Sequence, residues 1–386
     1  MKSVLEYLEN ISNDNKVIDK NESITYKDLQ VVSKKIGSGL AKYVKNNDPV
    51  PVYMEKGISC LEVFMGSLYA GGFYSLLNAG LPKMRLEQII NVLDVNYVVT
   101  DKEHLENAKE FFPDKELILY EDLVDSEIDD ELLSNIRARK LDVDPVYANF
   151  TSGSTGVPKG VVVGNRSIID FIDNFTSTFG INETDIIANQ APFDFDVSVK
   201  DIYPALKTGA TLVIVPKELF SRPAELIDFL VEHKVTTMTW AVSALCLIST
   251  FHGLDYKVPE TVKRVMFSGE VMPMKHLKEW MKHLPNATFV NLYGPTEITC
   301  NCTYHIIDRN REYEKIPVGI PFNNEDVFLL DENNKLVVNS EIKGEICVRG
   351  SALALGYYKN KEQTDRAFVR NPLNDKYIEY IYRTGD

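Results

Sequence analysis

Residues 150–160 read FTSGSTGVPKG, and they follow a short apolar run, Tyr147–Phe150, that has the character of a strand end. Three glycines, a group of serine and threonine hydroxyls and one lysine, Lys159, lie within this stretch. Glycines allow backbone N–H groups to turn toward an anion, hydroxyls add donors, and a lysine adds a point charge. The stretch therefore predicts a loop that binds phosphate groups.

The loop differs from the Walker A type of phosphate loop. That pattern requires a Gly-Lys-Ser/Thr triplet, whereas Lys159 follows Pro158 and precedes Gly160. The alternative is a surface turn without a ligand, which such a density of glycines, hydroxyls and a single lysine disfavours. A different class of phosphate-binding loop is expected.

Around this loop, apolar runs alternate with helical patterns. Before it, Pro49–Tyr53, Phe73–Leu77 and Tyr97–Thr100 are predicted strands, and Cys60–Ala70 and Leu86–Leu93 are predicted helices between them. Such alternation is typical of βαβ units and a parallel sheet. Residues 1–45 are predicted to be helical with one turn-like break, and residues 121–140 to be a polar surface connection.

The alternation resumes after the loop, with predicted helices at Ala224–Glu232 and Met274–His283. The predicted strands there are Ile186–Ala188, Thr211–Val215, Thr236–Trp240, Val262–Phe267 and Thr288–Val290. After about residue 316 short strands and turns follow one another, which is typical of antiparallel structure. We expect an α/β protein: two βαβ-type sheets packed with helices over about 1–315, and a small antiparallel β-barrel-like subdomain over 316–386.

Composition limits the classes of function. The chain has 386 residues and a net charge of -14, so it repels phosphate backbones and nucleic acid is excluded as a partner. The N-terminus has no apolar signal-peptide core, and no apolar stretch is long enough to span a membrane. The five cysteines are scattered without metal-binding spacing. A cytoplasmic protein with reduced thiols is expected.

TSGSTGVPKG resembles the phosphate-loop signature of the adenylate-forming superfamily, which includes acyl-CoA synthetases, luciferases and amino-acid adenylation domains. Four further motifs of that superfamily follow in the expected order. They are FDVSVKD (195–201), NLYGPTE (291–297), GEICVRG (344–350) with GYY (356–358), and YRTGD (382–386). The motifs span most of the chain, so we expect the large N-terminal domain of this fold.

The resemblance implies ATP and Mg²⁺ as ligands. Tyr293 would stack on adenine, Thr296 would donate to the α-phosphate, Glu297 would hold Mg²⁺ through oxygen, and Asp386 would accept the ribose hydroxyls. Thr296, Glu297 and Lys159 would be the catalytic residues, and no protein nucleophile is needed. The implied nucleotide-binding residues are Thr151, Ser152, Gly153, Ser154, Thr155, Gly156, Lys159, Asn291, Leu292, Tyr293, Gly294, Thr296 and Asp386.

Asp196 in the FDVSV run is typical of the amino-acid branch, because its carboxylate would pair with the substrate ammonium. The alternatives are a helix-capping role for Asp196 and an aryl-acid or acyl-CoA ligase. NQAPF (189–193), DIYPAL (201–206) and GEV (269–271) resemble D-alanine–carrier-protein ligase, and nonribosomal peptide synthetase adenylation domains share the other motifs. The implied substrate-binding residues are Asp196, Val197, Lys200, Thr239, Met266, Ser268, Gly269, Leu292, Cys300 and Asn301.

Two residues depart from the D-alanine ligase pattern: Lys200 stands where an apolar residue is usual, and Ser268 where cysteine is frequent. A lysine in a pocket built for a methyl group would be an unpaired charge, whereas an acidic side chain would pair it. The hypothesis is an L-amino acid with a polar or acidic side chain. The alternatives are that Lys200 reaches solvent, and that D-alanine is the substrate.

The resemblance also concerns partners and the end of the chain. Family members continue past YRTGD with a smaller C-terminal domain that carries a lysine, and nothing here corresponds to it. We expect this core to bind ATP and an amino acid but to turn over weakly by itself. The aminoacyl group would pass to a phosphopantetheine thiol of a carrier protein. A nucleotide-binding module without catalysis is the alternative, which intact Gly153, Lys159, Thr296, Glu297 and Asp386 disfavour.

Overall fold

The computed structural model describes residues 1–20, 22–151, 156–339 and 341–386. The strands are, in chain order, β1 Lys16–Asp19, β2 Glu22–Thr25, β3 Pro49–Tyr53, β4 Phe73–Leu76, β5 Tyr97–Thr100, β6 Glu116–Leu119, β7 Pro145–Thr151, β8 Lys159–Gly164, β9 Ile186–Asn189, β10 Thr211–Ile214, β11 Thr237–Ala241, β12 Arg264–Ser268, β13 Thr288–Tyr293, β14 Thr303–Ile306, β15 Ile320–Pro321, β16 Glu325–Leu330, β17 Glu345–Gly350, β18 Gly356–Tyr357, β19 Phe368–Arg370 and β20 Tyr380–Arg383.

The α-helices are α1 Leu5–Glu9, α2 Tyr26–Leu40, α3 Ile58–Tyr69, α4 Lys83–Leu93, α5 Leu105–Phe111, α6 Tyr120–Val124, α7 Asp130–Arg139, α8 Asn165–Phe179, α9 Val199–Thr208, α10 Pro223–Glu232, α11 Val242–Thr250, α12 Gly253–Tyr256, α13 Met274–His283 and α14 Lys361–Ala367. Three short 3₁₀ helices cover Asp196–Ser198, Lys217–Ser221 and Thr296–Ile298. None of the helices in the described ranges combines the length and apolar character that crossing a bilayer requires.

Two large sheets form the body of the protein. One has the strand order β15-β14-β13-β12-β11-β9-β10-β1-β2 and the other β18-β8-β7-β4-β3-β5-β6. The central strands of each are parallel, from β1 to β13 in the first and from β6 to β7 in the second. The remaining strands add at the edges in antiparallel pairs. Helices pack on these sheets, and the predicted α/β class is confirmed.

A third, smaller sheet is antiparallel throughout and has the order β16-β17-β20-β19. It supplies the small antiparallel component that the sequence predicts after residue 316. Two other strands of that region pair elsewhere: β15 extends the nine-stranded sheet and β18 extends the seven-stranded sheet. The last part of the chain is therefore tied to both large sheets.

Two expectations for the helical regions were wrong. Residues 1–45 contain the β1–β2 hairpin, because Val17 pairs with Leu212 in a distant strand that local pattern does not reveal. Residues 121–140 contain most of α6 and all of α7. Helix α7 begins at a capping residue, Asp129, which accepts a hydrogen bond from the Leu132 backbone N–H. It buries only Leu133, so it shows no apolar periodicity.

Helices α2 and α3 pack closely because small residues lie where they meet. A Cβ built on Gly66 of α3 would lie 2.7 Å from the Ile36 Cβ of α2, and one on Gly37 would lie 2.5 Å from the Tyr69 Cβ. Both distances are shorter than van der Waals contact. Phe64 of α3 then stacks on Tyr74 of β4 with the ring centroids 3.9 Å apart. The glycines thus allow α2 to pack closely on α3, and the Phe64–Tyr74 stack joins α3 to the seven-stranded sheet.

We predict that Gly66→Ala lowers the free energy of unfolding by about 1–3 kcal/mol, since the new methyl group overlaps the side chain of Ile36. Urea titration followed by circular dichroism measures the change. Ile36→Ala alone also destabilises, by leaving a cavity. The double variant should lose less than the sum of the two, because each substitution relieves the other. Strict additivity would contradict the proposed overlap.

Candidate active site

The residues of the predicted site lie where parallel strands of the nine-stranded sheet end. Thr239, Ser268 and Tyr293 lie at or near the carboxyl ends of β11, β12 and β13. Open α/β sheets bind ligands at this edge, because the loops that leave it are free to vary. The carboxyl end of β7, which carries the phosphate-type loop, belongs to the other large sheet. The site is therefore assembled from both sheets.

The predicted phosphate loop connects β7 to β8. Thr151 ends β7, and its carbonyl oxygen accepts a 3.0 Å hydrogen bond from the Arg85 guanidinium. Ser152, Gly153, Ser154 and Thr155 lie outside the described residues. Gly156 has a φ of +81°, a left-handed conformation that favours glycine, and a Cβ there would meet no atom of the described residues within 4 Å. The described part of the loop thus leaves open space at its Gly156 side.

Lys159 and Glu297, which are far apart in sequence, are brought together by Tyr357. The Lys159 Nζ lies over the Tyr357 ring, 5.3 Å from its centroid. The Tyr357 hydroxyl donates a 2.7 Å hydrogen bond to the Glu297 Oε1. The phosphate loop and the NLYGPTE turn therefore converge on one place, as the motifs require.

The Glu297 carboxylate has the surroundings of a cation ligand. Its side chain is about nine-tenths buried, yet no lysine or arginine of the described residues pairs with it. Its near neighbours are the hydroxyls of Tyr357 and Tyr382, and the negative charge of Glu297 helps burial to raise their pKa. A buried carboxylate without a cationic partner is costly unless a metal ion or ligand pairs with it. The donor set fits Mg²⁺, which prefers oxygen ligands.

A cavity of about 380 Å³ lies beside the end of β13. Five residues of the predicted nucleotide set line it: Asn291, Leu292, Tyr293, Gly294 and Asp386. The Tyr293 hydroxyl donates a 2.6 Å hydrogen bond to the Asp386 Oδ2, so the last motif of the chain is held at the cavity. Gly269 lines the same cavity with a φ of +94° and no atom near its absent Cβ.

A second cavity of about 410 Å³ lies between the end of β7 and the FDVSV run. Thr151, Asp196 and Thr296 line it, while the preceding residue, Pro295, lines the first cavity. The two cavities therefore adjoin at the Pro295–Thr296 peptide. Burial raises the pKa of Asp196, and the nearby Lys200 charge and a hydrogen bond from Thr296 act in the opposite direction.

Lys200 lies inside the protein, so the alternative that it reaches solvent is wrong. Its side chain is fully buried, and its Nζ donates hydrogen bonds to the Asn301 Oδ1 at 2.6 Å and the Ser268 Oγ at 3.1 Å. Burial lowers the pKa of the amine, and the acidic groups around it oppose that shift. Three residues predicted to share a pocket are thus in direct contact.

Asn301 reaches Lys200 because the chain reverses just before it. Thr299 and Cys300 both have left-handed backbone, with φ of +51° and +78°, which is costly for residues with a Cβ. The Thr299 hydroxyl compensates by donating a 2.6 Å hydrogen bond to the Ala352 carbonyl oxygen. The Cys300 Sγ donates to the Asp196 carbonyl oxygen at 3.2 Å. The turn at Thr299 and Cys300 is therefore hydrogen-bonded to the FDVSV run.

The other predicted pocket residues lie around this group. Thr239 and Met266 are paired residues of β11 and β12, and both are fully buried, as is Leu292. The Thr239 hydroxyl has no hydrogen-bond partner among the described residues. Val197 is half-buried in the 3₁₀ turn that carries Asp196. The structure thus joins Lys200 to Ser268 and Asn301, and Cys300 to the Asp196 carbonyl oxygen, whereas Gly269 and Leu292 line the first cavity.

Three further residues lie at the site without a role predicted from the sequence. Tyr357 contacts Glu297, Arg85 contacts Thr151, and Asp201 is buried beside Lys200 with a pKa that burial raises to about 8. Tyr357 and Asp201 lie within motifs quoted above, so the motifs could have identified both as residues of the site. Arg85 lies on α4, outside every motif, and only tertiary structure reveals it.

Comparison with known proteins agrees with this geometry. The sequence profile described as AMP-binding enzyme matches residues 8–358. A linear gramicidin synthase of Brevibacillus parabrevis is 32% identical over 368 residues, which cover 95% of this chain and 5% of that protein. D-alanine–D-alanyl carrier protein ligase of Bacillus velezensis is 32% identical over 376 residues, covering 95% of this chain and 71% of that protein.

Solved structures are similar over the whole chain. Nonribosomal peptide synthetase FmoA3 in its α-methyl-L-serine-AMP bound form has a TM-score of 0.90 at 25% identity, covering 100% of this chain and 43% of that one. The Klebsiella oxytoca NpsA N-terminal subdomain, at 19% identity and a TM-score of 0.81, shares the fold, and 96% of it is covered. The chain therefore spans a small part of the gramicidin synthase and less than half of FmoA3.

The buried amine predicts a pH effect on stability. Folding lowers the pKa of Lys200. At pH values between this lowered pKa and the usual lysine pKa, the unfolded chain therefore binds more protons at Lys200 than the folded chain does. The contribution of Lys200 to the free energy of unfolding therefore increases as the pH rises through this range. We predict that the free energy of unfolding of the wild type, relative to that of Lys200→Met, increases as the pH rises toward the usual lysine pKa, by at most about 1.4 kcal/mol per pH unit.

Urea titrations at several pH values measure this difference. Lys207→Met is the matched control, because Lys207 lies on the same helix but is partly exposed and paired with Asp173 at 2.6 Å. The free energy of unfolding of Lys207→Met should change with pH in the same way as that of the wild type. Parallel curves for Lys200→Met as well would contradict the burial of a lysine with a lowered pKa.

Proposed function

The chain belongs to the AMP-binding enzyme family, and on that premise we propose that it uses Mg-ATP to convert an amino acid to an aminoacyl-AMP. The observation that carries the proposal is that adjacent residues, Pro295 and Thr296, line the two cavities. One cavity, bounded by Tyr293 and Asp386, suits adenosine. The other, bounded by Asp196, suits an amino acid with an ammonium group. The α-phosphate would then lie between them.

The residues around Thr296 suit such a reaction. A carboxylate that attacks the α-phosphorus forms an acyl phosphate bond, and the bond to pyrophosphate breaks. Negative charge accumulates on the α-phosphate oxygens during this step, and fixed donors stabilise it. Thr296 would donate to those oxygens, and Lys159 would bring positive charge to the phosphates. Mg²⁺, when bound to Glu297, would offset further charge on the phosphates.

Asp196 would orient the amino acid. Its carboxylate is partly buried, and burial makes its charged form costly unless a cation pairs with it. A substrate ammonium supplies that cation within the second cavity. Such a pair would favour amino acids over acids without an ammonium group. Asp196→Ala should therefore abolish amino-acid activation, and normal activation of an acid by that variant would support an acyl or aryl-acid ligase instead.

We further propose that the substrate side chain is polar and acidic. Asp196 and Lys200 are close enough for the charge of each to act on the pKa of the other. Asp196 would pair with the substrate ammonium, and Lys200 would pair with a carboxylate on the substrate side chain. The Lys200 amine, held by Ser268 and Asn301, would be left without a charge partner by an alanine methyl group.

D-alanine stays the second candidate, since D-alanine–D-alanyl carrier protein ligase is among the relatives. ATP–pyrophosphate exchange with the twenty L-amino acids and D-alanine separates the two. We predict that glutamate or aspartate gives the highest exchange, and that Lys200→Met lowers it selectively. A preference for D-alanine would overturn the acidic substrate but not the adenylation. ATP binding without exchange for any of them would favour a binding-only module.

The link between Tyr357 and Glu297 gives a separate prediction. Tyr357→Phe removes the hydroxyl that holds the Glu297 Oε1, so the carboxylate is less well positioned. We expect exchange to fall about tenfold, which corresponds to roughly 1.4 kcal/mol, and the Mg²⁺ concentration for half-maximal rate to rise. The control is Tyr358→Phe, because its ring packs on Phe73. Equal behaviour of the two variants would contradict a positioning role.

The wider role of the protein is also a proposal. Relatives include nonribosomal peptide synthetases and a carrier-protein ligase, so we propose a carrier protein as the acceptor of the aminoacyl group. The acceptor thiol would be a phosphopantetheine arm, either on the same polypeptide or on a separate protein. Aminoacylation of a phosphopantetheinylated carrier, followed by mass spectrometry, tests this step.

A further inference from the structure

A cluster of histidine and carboxylate side chains lies outside both cavities of the candidate active site. Asp255 of α12 faces Glu279 and His283 of α13, and each offers a ligand atom within 4.8 Å of the other two. Asp255 and Glu279 also line a separate cavity of about 340 Å³. No residue lining this cavity lines either cavity of the active site. The cluster therefore calls for a separate explanation.

The orientation of the His283 ring is that of a metal ligand. Its Nδ1 lies 3.0 Å from the Glu279 carbonyl oxygen and 3.3 Å from the Glu279 Oε1, so this nitrogen carries the hydrogen and donates. In the neutral ring the Nε2 then has a free lone pair, and it faces the Asp255 Oδ1 at 3.2 Å. Metal-binding histidines are held in this way, with the other ring nitrogen donating to a carbonyl or carboxylate oxygen.

The His283 Nε2 and the Asp255 Oδ1 both act as acceptors and lie 3.2 Å apart, so a proton or a cation is needed between them. A proton on Nε2 would serve, and so would a metal ion that both atoms bind. Tetrahedral Zn²⁺ with ligand distances of about 2.0–2.2 Å holds its ligand atoms roughly 3.3 Å apart. The Nε2 and Oδ1 atoms are already at that separation, and the partly exposed Glu279 carboxylate can rotate to join them.

A fourth ligand is close by. The His252 Nδ1 lies 2.9 Å from the Asp255 Oδ2, so Asp255 lies between two imidazoles. The His252 side chain is 79% exposed and has room to turn toward the ion. We propose that Asp255, Glu279 and His283, with His252 as the fourth ligand, form a binding site for one Zn²⁺-like transition-metal ion. Imidazole ligands favour such ions over Mg²⁺ and Ca²⁺.

Two lysines oppose the ion. Lys275 and Lys282 line the same cavity, and the Lys282 Nζ lies 3.8 Å from the Glu279 Oε1. The ion must compete with this ammonium for Glu279, which weakens its binding. Occupancy would link α12 to α13 and restrain α11, which packs on α13 through the Trp280–Leu245 hydrogen bond. The site is thus structural, and it stabilises this side of the nine-stranded sheet.

The test is calorimetric titration of Zn²⁺ into the chain at neutral pH. All proteins carry Cys246→Ser, because Cys246 is the cysteine that is not fully buried and could bind zinc adventitiously. We expect one ion per chain and a thermal midpoint that rises with Zn²⁺ concentration, since the ion binds the folded state. Mg²⁺ at the same concentration should leave the midpoint unchanged.

Variants distinguish this site from any other. His283→Gln and Asp255→Asn should each weaken Zn²⁺ binding by about tenfold or more, and Lys282→Gln should strengthen it. The matched control is His104→Gln, because His104 pairs with Asp101 at 2.6 Å but belongs to no three-ligand cluster among the described residues. Absence of zinc binding, or equal affinity in His283→Gln and His104→Gln, would overturn the proposal.

Discussion

The arrangement of the active site depends on one hydrogen bond, from the Tyr357 hydroxyl to the Glu297 carboxylate. Tyr357 lies in β18 at an edge of the seven-stranded sheet, and Glu297 lies in the 3₁₀ turn after β13 of the nine-stranded sheet. The bond therefore joins the two sheets where the phosphate loop also arrives, through Lys159 above the same ring. Because the site draws on both sheets, their relative position fixes the distance between Lys159 of the predicted phosphate loop and the Glu297 carboxylate.

The site concentrates buried charge that a hydrophobic core would exclude. Lys200, Asp201 and Glu297 are buried and Asp196 is partly buried, and burial shifts the pKa of Asp196, Lys200 and Asp201 toward their neutral forms. Buried charged groups reduce stability unless partners offset the cost of removing them from water. Their clustering at one site therefore indicates function. The surrounding protein is acidic overall, with a net charge of -14. In the proposed function, a nucleotide would therefore be held by local donors such as Lys159 and Thr296 rather than by the general field.

Membership of the family and choice of substrate rest on different residues. The family is defined by motifs that bound the nucleotide cavity, whereas the proposed acidic preference rests on Lys200 and its two partners, Ser268 and Asn301. These three residues come from α9, the end of β12 and the turn after β13, and none of them lines the cavity beside Tyr293 and Asp386. The histidine cluster on α12 and α13 is separate again, because none of its residues lines either cavity of the candidate active site.

The sequence by itself determined the local structures and the motifs. The bounds of β3 and α13 were predicted at the observed residues, because a short buried run or a strong amphipathic pattern is encoded within one element. Five ordered motifs also identified the family, and they contain most of the residues proposed for the site. Only the tertiary structure decided which distant segments meet: β1 with β10, Tyr357 with Glu297, and Lys200 with Asn301 rather than with solvent. Contacts between segments so distant in sequence depend on how whole sheets and turns pack. Local sequence patterns therefore cannot predict them.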